Sequence, residues 1–345
     1  MKGELVRVLS DDLEAVEAEG PKLGDRDLRT LYEAMLLSRA LDDRCRTLHR
    51  DGKIGFYVSS SGLEATSVGA AYCLHAGDWA FPSHRDTGMF LMRGGSAQAW
   101  LDQLYGNSDD LLSGRQLPNH HSLPSGRFVS ISGTVGAHIA QATGCGVAMK
   151  ARGDKCAVLV SFGEAATAQG GFHTGLNFAG VFAAPVIFLC QNRRLAADHG
   201  QPSDREESMA ARAVAYGFGG VWVDGTDILA VIKVVSEARE RAVEGGGPTL
   251  IEAELPVAPV AGDPADPVAR LRRYLELCGL WDPAWEEEVS GRGRELLDAA
   301  VARAGATPQP AADSMIFDVY VELPWMLREQ RESLTQGYEP GDGHA

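Results

Sequence analysis

An α/β fold, a parallel sheet flanked by helices with helical N- and C-terminal extensions, is predicted by three observations. Four short runs of β-branched and apolar residues, CAVLVSF (156–162), APVIFLCQN (184–192), GVWVD (220–224) and PTLIEAEL (248–255), are separated by helix-length segments. Strands alternating with helices imply a parallel sheet covered on both faces. Ile228, Val231, Val235, Ala238 and Ala242 fall on one helical face between the third and fourth runs. Glycine is abundant, 40 of 345 residues, as is common where many strand–loop–helix turns bring backbone close to a ligand.

Taken in order, residues 1–24 are acidic and lack periodicity, which predicts a tail. Asp25 is the expected cap of a helix whose apolar face is Leu28, Leu31, Tyr32 and Met35. Gly62–Leu74 and Ser96–Leu111 read as further helices. The second has Trp100, Leu101 and Leu104 on one face and Asp102, Asp109 and Asp110 available to solvent. Leu112–Phe128 is rich in Ser, Pro, Gly and Asn and is expected to be a long surface loop. One α/β domain over 25–255 is followed by the Pro- and Ala-rich linker 256–267, C-terminal helices over 268–335 and a tail at 336–345.

The chain carries 32 basic and 47 acidic residues, a net charge of −15. Nucleic acid and anionic membranes need a basic face to exchange for counterions, so neither is an expected partner. An apolar share of 45% suits a chain with a large core. Acidic residues stand where a signal peptide would have its apolar stretch, so the protein is expected to be cytoplasmic. The six cysteines contain no C-x-x-C pair and are expected to be reduced and mostly buried.

In an open parallel sheet, ligands bind where strand carboxyl ends meet helix N-termini. The first such turn is SFGEAATAQGGFHTGLNFAG (161–180), where a Gly followed by an acid can present backbone N–H groups to a phosphate and a carboxylate to its metal ion. One strand–helix–strand later comes CQNRRLAAD (190–198). With GKIGFYVSSSGLEATSVGAA (52–71), HRDTGMFLMRG (84–94), YGNSDDLLSGRQLPNHHS (105–122), VSISGTVGAHIAQATG (129–144) and RLRRYL (270–275), the chain resembles the alpha subunit of the thiamine-diphosphate-dependent, decarboxylating component of 2-oxo acid dehydrogenases, closest to the branched-chain (2-oxoisovalerate) type. The resemblance runs from about residue 31 to about residue 334. It implies the thiamine-diphosphate-binding fold, with 25–255 as the pyrophosphate-binding domain. It also implies thiamine diphosphate and Mg²⁺ as cofactors, a beta subunit in an alpha2beta2 assembly supplying the other half of the site, and a lipoyl-bearing acyltransferase core.

Carried over residue by residue, the resemblance makes Arg85, Gly163, Glu164, Ala165 and Asn192 the cofactor-binding positions and Glu164 the metal ligand. The departures cluster in the same pocket. Arg193 stands where the family has a metal-ligating Asn, and a guanidinium has donors but no acceptor. Arg194 and Leu195 replace a Gly and a Tyr, Ala165 a Gly, His84 a Tyr and Gln191 an Arg; the potassium-site segment of branched-chain members is altered at Gly133, Thr134, Ala137 and His138. The long loop that carries the family's cofactor-contacting His is missing, since no histidine occurs between His199 and His344. Glu164 is thus either a metal ligand or the ion-pair partner of Arg193. Arg85 is a phosphate contact or part of a structural salt bridge. His120, matching a family His, is a candidate catalytic residue or, with His121, an exposed loop histidine; His173 reads as structural. Two functions stay open: a catalytic alpha subunit, and a non-catalytic scaffold or regulatory homologue that keeps the beta-subunit contacts. A nicotinamide-dinucleotide-binding protein is disfavoured because no G-x-G-x-x-G follows a strand.

Overall fold

Apolar runs buried on both faces become the centre of one five-stranded sheet, all parallel, in the order β1-β2-β3-β5-β4. The computed structural model describes residues 4–10, 20–193, 208–256, 265–317 and 320–335. The strands are β1 (Trp79–Phe81), β2 (Val158–Gly163), β3 (Val186–Asn192), β4 (Gly219–Asp224) and β5 (Thr249–Glu254). The last four match the predicted runs; β1, with three residues, is too short to give a periodic signal.

Each face of the sheet has its own core. Val158, Val160 and Phe162 of β2 pack with residues of α5 (Ala137–Arg152) and α6 (Gly170–Phe182). Leu159, between them on the other face, joins Leu189, Ile251 and residues of α1 (Asp25–Arg50), α2 (Glu64–Tyr72), α3 (Thr87–Met92), α4 (Ala97–Tyr105) and α7 (Ile228–Val243). This two-sided burial is what near-continuous apolar strands require. The expected faces of α1 and α7 are buried in full. Gly24, rather than Asp25, caps α1, and its N–H donates to the Asp27 carboxylate at 3.3 Å.

Four expectations are corrected. α4 stops at Gly106, whose φ of +61° ends the helix, well short of Leu111. Asp102 and Asp110 are buried rather than solvent-facing: Asp102 accepts from Gln98 and Asn107, and Asp110 from the N–H groups of Leu112 and Gly114, so both shape the turn that follows. The loop 112–128 does not lie wholly on the surface, because Asn119, His120 and His121 are buried, with His121 stacked on Trp100 at 3.5 Å between centroids. Residues 4–10, expected as tail, run beside β4: Val6 bridges Val223, and the N–H groups of Val8 and Leu9 donate to Asp227 at 2.8 and 2.7 Å. Arg194, Leu195, His199, residues 257–264 of the linker and the tail 336–345 lie outside the described residues.

Helices Pro267–Leu277, Pro283–Ala306, Ser314–Phe317 and Trp325–Thr335 follow the sheet domain. All six cysteines are free, four of them buried. Among the described residues, no helix is long and apolar enough to cross a membrane.

Candidate functional site

The parallel register lines up the carboxyl ends of β2 and β3, with Gly163 opposite Gln191. The turn after β1 crosses over both ends, and Asp86 fixes it there. This fully buried carboxylate accepts from the Ser83 N–H and hydroxyl at 2.7 and 2.8 Å, from Ser161 of β2, and from Gln191 Nε2 of β3 at 2.9 Å. Such a hub holds three segments through charge-assisted bonds. Sequence reasoning missed Asp86; its signal was its place inside HRDTG, directly after the two residues singled out there.

His84 and Arg85 ride on this turn. Asn119, at φ +68°, accepts from the Val58 N–H at 2.7 Å and donates to the His84 carbonyl at 3.1 Å, drawing the 112–128 loop onto this turn. His120 therefore meets His84, Nε2 to Nε2 at 3.3 Å with the rings edge to face. His120 Nδ1 lies 3.1 Å from the Pro118 carbonyl, which accepts its proton, so Nε2 is left to accept from His84. Burial, then His120, His138 and Arg85, push the His84 pKa down to about 4. His138 donates from Nε2 to the Ser161 carbonyl at 2.8 Å, while its buried Nδ1 has no partner.

At the end of β3, Asn192 donates to Glu252 of β5 at 2.7 Å. Glu252, buried in the sheet, also accepts from Ser208 and from the Ala210 N–H, so it ties β3 to the segment leading into β4. Arg193 turns the other way and donates from Nη2 to the Ser61 carbonyl. Ser61 is presented by a network of its own. Buried Asp42 accepts from Tyr57, Ser59 and the Ser60 N–H, and buried Glu64 accepts from Arg39 at 2.5 Å and from the Gly62 N–H at 2.9 Å. Burial and the neighbouring Arg85 guanidinium lower the Arg193 pKa to about 10, against the pull of Glu64, Asp42 and Glu164.

Neither of the two ion pairs expected from the sequence is formed among the described residues. Glu164 opens a short 3-10 turn, Glu164–Ala168, and among the described residues it makes no ion pair with Arg193, which bonds Ser61 instead. Arg85 is in no salt bridge among the described residues, and its buried Nε has no acceptor. Ala165 is exposed, so its added methyl group displaces nothing within the fold. A Cβ placed at Gly163 meets nothing within 4 Å, so the end of β2 opens onto free space. His120 is 6% exposed, at odds with an exposed loop histidine. His173, on α6, pairs with the Tyr216 hydroxyl at 2.5 Å, a structural contact on the outer face of that helix.

A divalent metal does not fit this donor set. Among the described residues no group of three or more His, Cys, Asp and Glu is placed to hold one. Mg²⁺ needs hard oxygen ligands, and beside Glu164 the chain offers the Arg193 guanidinium, which has none.

Residues 32–255 match the family model described as "Dehydrogenase E1 component". The chain is 34% identical to the pyruvate dehydrogenase E1 component subunit alpha of Bacillus cereus, across 95% of this chain and 92% of that protein. It is also 34% identical to the mitochondrial 2-oxoisovalerate dehydrogenase subunit alpha of Pan troglodytes, across 92% of this chain and 76% of that one. The parallel sheet, the paired strand-end turns and these similarities agree, and the chain belongs to the dehydrogenase E1 component family, as a relative of its alpha subunits.

Proposed function

We propose that this chain is a non-catalytic alpha-type subunit of a cytoplasmic 2-oxo acid dehydrogenase assembly, a scaffold or regulatory homologue that pairs with a beta subunit and so joins a lipoyl-bearing acyltransferase core. Arg193 carries this reading. Its guanidinium takes the position from which relatives supply a metal-ligating oxygen, and it is locked there by Ser61. Gln191 and Asn192, its neighbours on β3, spend side-chain N–H groups on Asp86 and Glu252. The missing histidine loop removes the further group that a decarboxylating site would place opposite the cofactor.

A second reading, the catalytic alpha subunit of a branched-chain 2-oxo acid dehydrogenase acting through thiamine diphosphate and Mg²⁺, draws on Arg85, Gly163, Glu164 and His120; its support is that His120 meets His84, the chain neighbour of Arg85, and that Gly163 ends β2 opposite Gln191. Co-expression with a beta-subunit homologue separates the two. The expected result is an alpha2beta2 complex by light scattering and no decarboxylation of 2-oxoisovalerate or pyruvate with thiamine diphosphate, Mg²⁺ and a lipoyl domain. Turnover well above the beta subunit alone would establish the second reading, and failure to form any complex would remove both.

A further inference from the structure

Three of the positions that depart from the family pattern, His84, Gly133 and His138, are far apart in the chain but gather around His120 in the fold. His84 and His120 face each other through Nε2, 3.3 Å apart. Two imidazole nitrogens on one tetrahedral ion, each about 2.0–2.1 Å from it, stand about 3.3 Å from each other. The pair is spaced as two ligands of such an ion. A ligating imidazole is oriented by the hydrogen bond that its other nitrogen makes, and His120 Nδ1 has that bond, 3.1 Å to the Pro118 carbonyl. Gly133 keeps His120 Nε2 clear: a Cβ there would lie 3.0 Å from it, and a side chain would compete with an ion for the same space. His138 repeats the pattern, with Nε2 committed to the Ser161 carbonyl at 2.8 Å and Nδ1 buried without a partner. Ser161 ties this imidazole to the pair, because its hydroxyl accepts from the N–H of Ser83, the residue before His84, at 3.0 Å. Burial first, then these neighbours and Arg85, keep His84 uncharged, the form in which imidazole coordinates a metal.

We propose that His84 and His120 bind a zinc-class transition-metal ion through their Nε2 atoms, with the remaining coordination positions taken by water or a small ligand. Among the described residues no group of three or more His, Cys, Asp and Glu is placed around one ion, so the chain supplies two ligands here. Neutral imidazole suits Zn²⁺, Ni²⁺ and Cu²⁺, whereas Mg²⁺ takes oxygen. The site is therefore independent of the Mg²⁺ ligand replaced by Arg193, and it holds under either reading of the function. On binding, the proton on His84 Nε2 moves to Nδ1, and both Nε2 lone pairs turn to the ion. The ion replaces the hydrogen bond between the rings and fastens the 112–128 loop to the turn after β1, two segments otherwise joined through Asn119.

The test is titration of the full-length chain, stripped with EDTA and desalted, with Zn²⁺ by calorimetry and with Co²⁺ by visible absorption. Expected are one saturable site in the micromolar range, a Co²⁺ spectrum of four-coordinate geometry, and a thermal midpoint raised by Zn²⁺. Mg²⁺ should produce none of these. His84→Gln and His120→Gln should each weaken Zn²⁺ binding by about tenfold or more. His84→Tyr, which restores the family's residue, should do the same, whereas His173→Gln, which removes an exposed imidazole on α6, should leave binding unchanged. Melts in EDTA near neutral pH that match the parent show that the variants fold. No saturable binding at submillimolar Zn²⁺ or Co²⁺, or a site that survives substitution of both His84 and His120, overturns the proposal.

Discussion

His84 faces His120, His138 and Arg85, and the physical consequence is a histidine that stays neutral in the folded protein far below its usual range. Its pKa near 4 lies under the value of about 6.5 for a free histidine. Between these two values the unfolded chain binds a proton here that the native chain does not, so stability falls as pH drops through 6.5 and the loss is complete near 4. Above 6.5 both states are neutral and the group is silent. Replacing it should therefore flatten the acid limb: between pH 7.5 and 5, His84→Gln is expected to lose less stability in urea denaturation than the parent. Equal losses would mean that His84 titrates normally.

At the scale of elements, α5 and α6 pack so closely that the first turn of α6 has no room for a side chain. A Cβ on Gly171 would lie 2.5 Å from the Gly136 carbonyl oxygen, and Gly136 itself starts α5 at φ +76°. Gly171→Ala is expected to cost about 1–3 kcal/mol through forced separation of the two helices, read as a lower midpoint in chemical denaturation; an unchanged midpoint would show that the helices shift freely. This glycine was visible in the sequence only as part of a glycine-rich turn, whose composition suggested a phosphate cradle. The structure gives it a packing role, while Gly163, the glycine matched to the cofactor turn, borders open space. The same contrast holds along the 112–128 loop: its composition predicts exposure, but Asn119 bonds bring three of its residues into the interior.

Across the whole molecule, Asp227 links the start of the chain to the sheet. One carboxylate oxygen accepts from the Leu229 and Ala230 N–H groups and caps α7, while the other accepts from Val8 and Leu9. Arg7, on the docked segment, pairs with Asp224 at 3.3 Å, and Arg270 reaches both Asp224 and the Leu9 carbonyl. Asp227→Ser should preserve a cap on α7 but release the segment, so tryptic cleavage after Arg7, followed by mass spectrometry, is expected to accelerate several-fold under native conditions. Cleavage at the parental rate would show that the other contacts hold it unaided.

Hydrophobic patterning by itself determined the α/β class, four of the five strands and the buried faces of α1 and α7, because these depend on local runs that must be buried on one or both sides. The strand-end motifs also named the edge of the sheet on which the candidate site is built, since parallel connections deliver every such turn to the same edge. Contacts between distant segments were decided only by the tertiary structure: Asp86 across β1, β2 and β3, Glu252 beneath Asn192, Asn119 drawing His120 onto His84, and Arg193 on Ser61 rather than on Glu164. Each is a hydrogen bond between residues far apart in the chain, and residue identity specifies what a side chain can donate or accept but not which partner the fold places within reach.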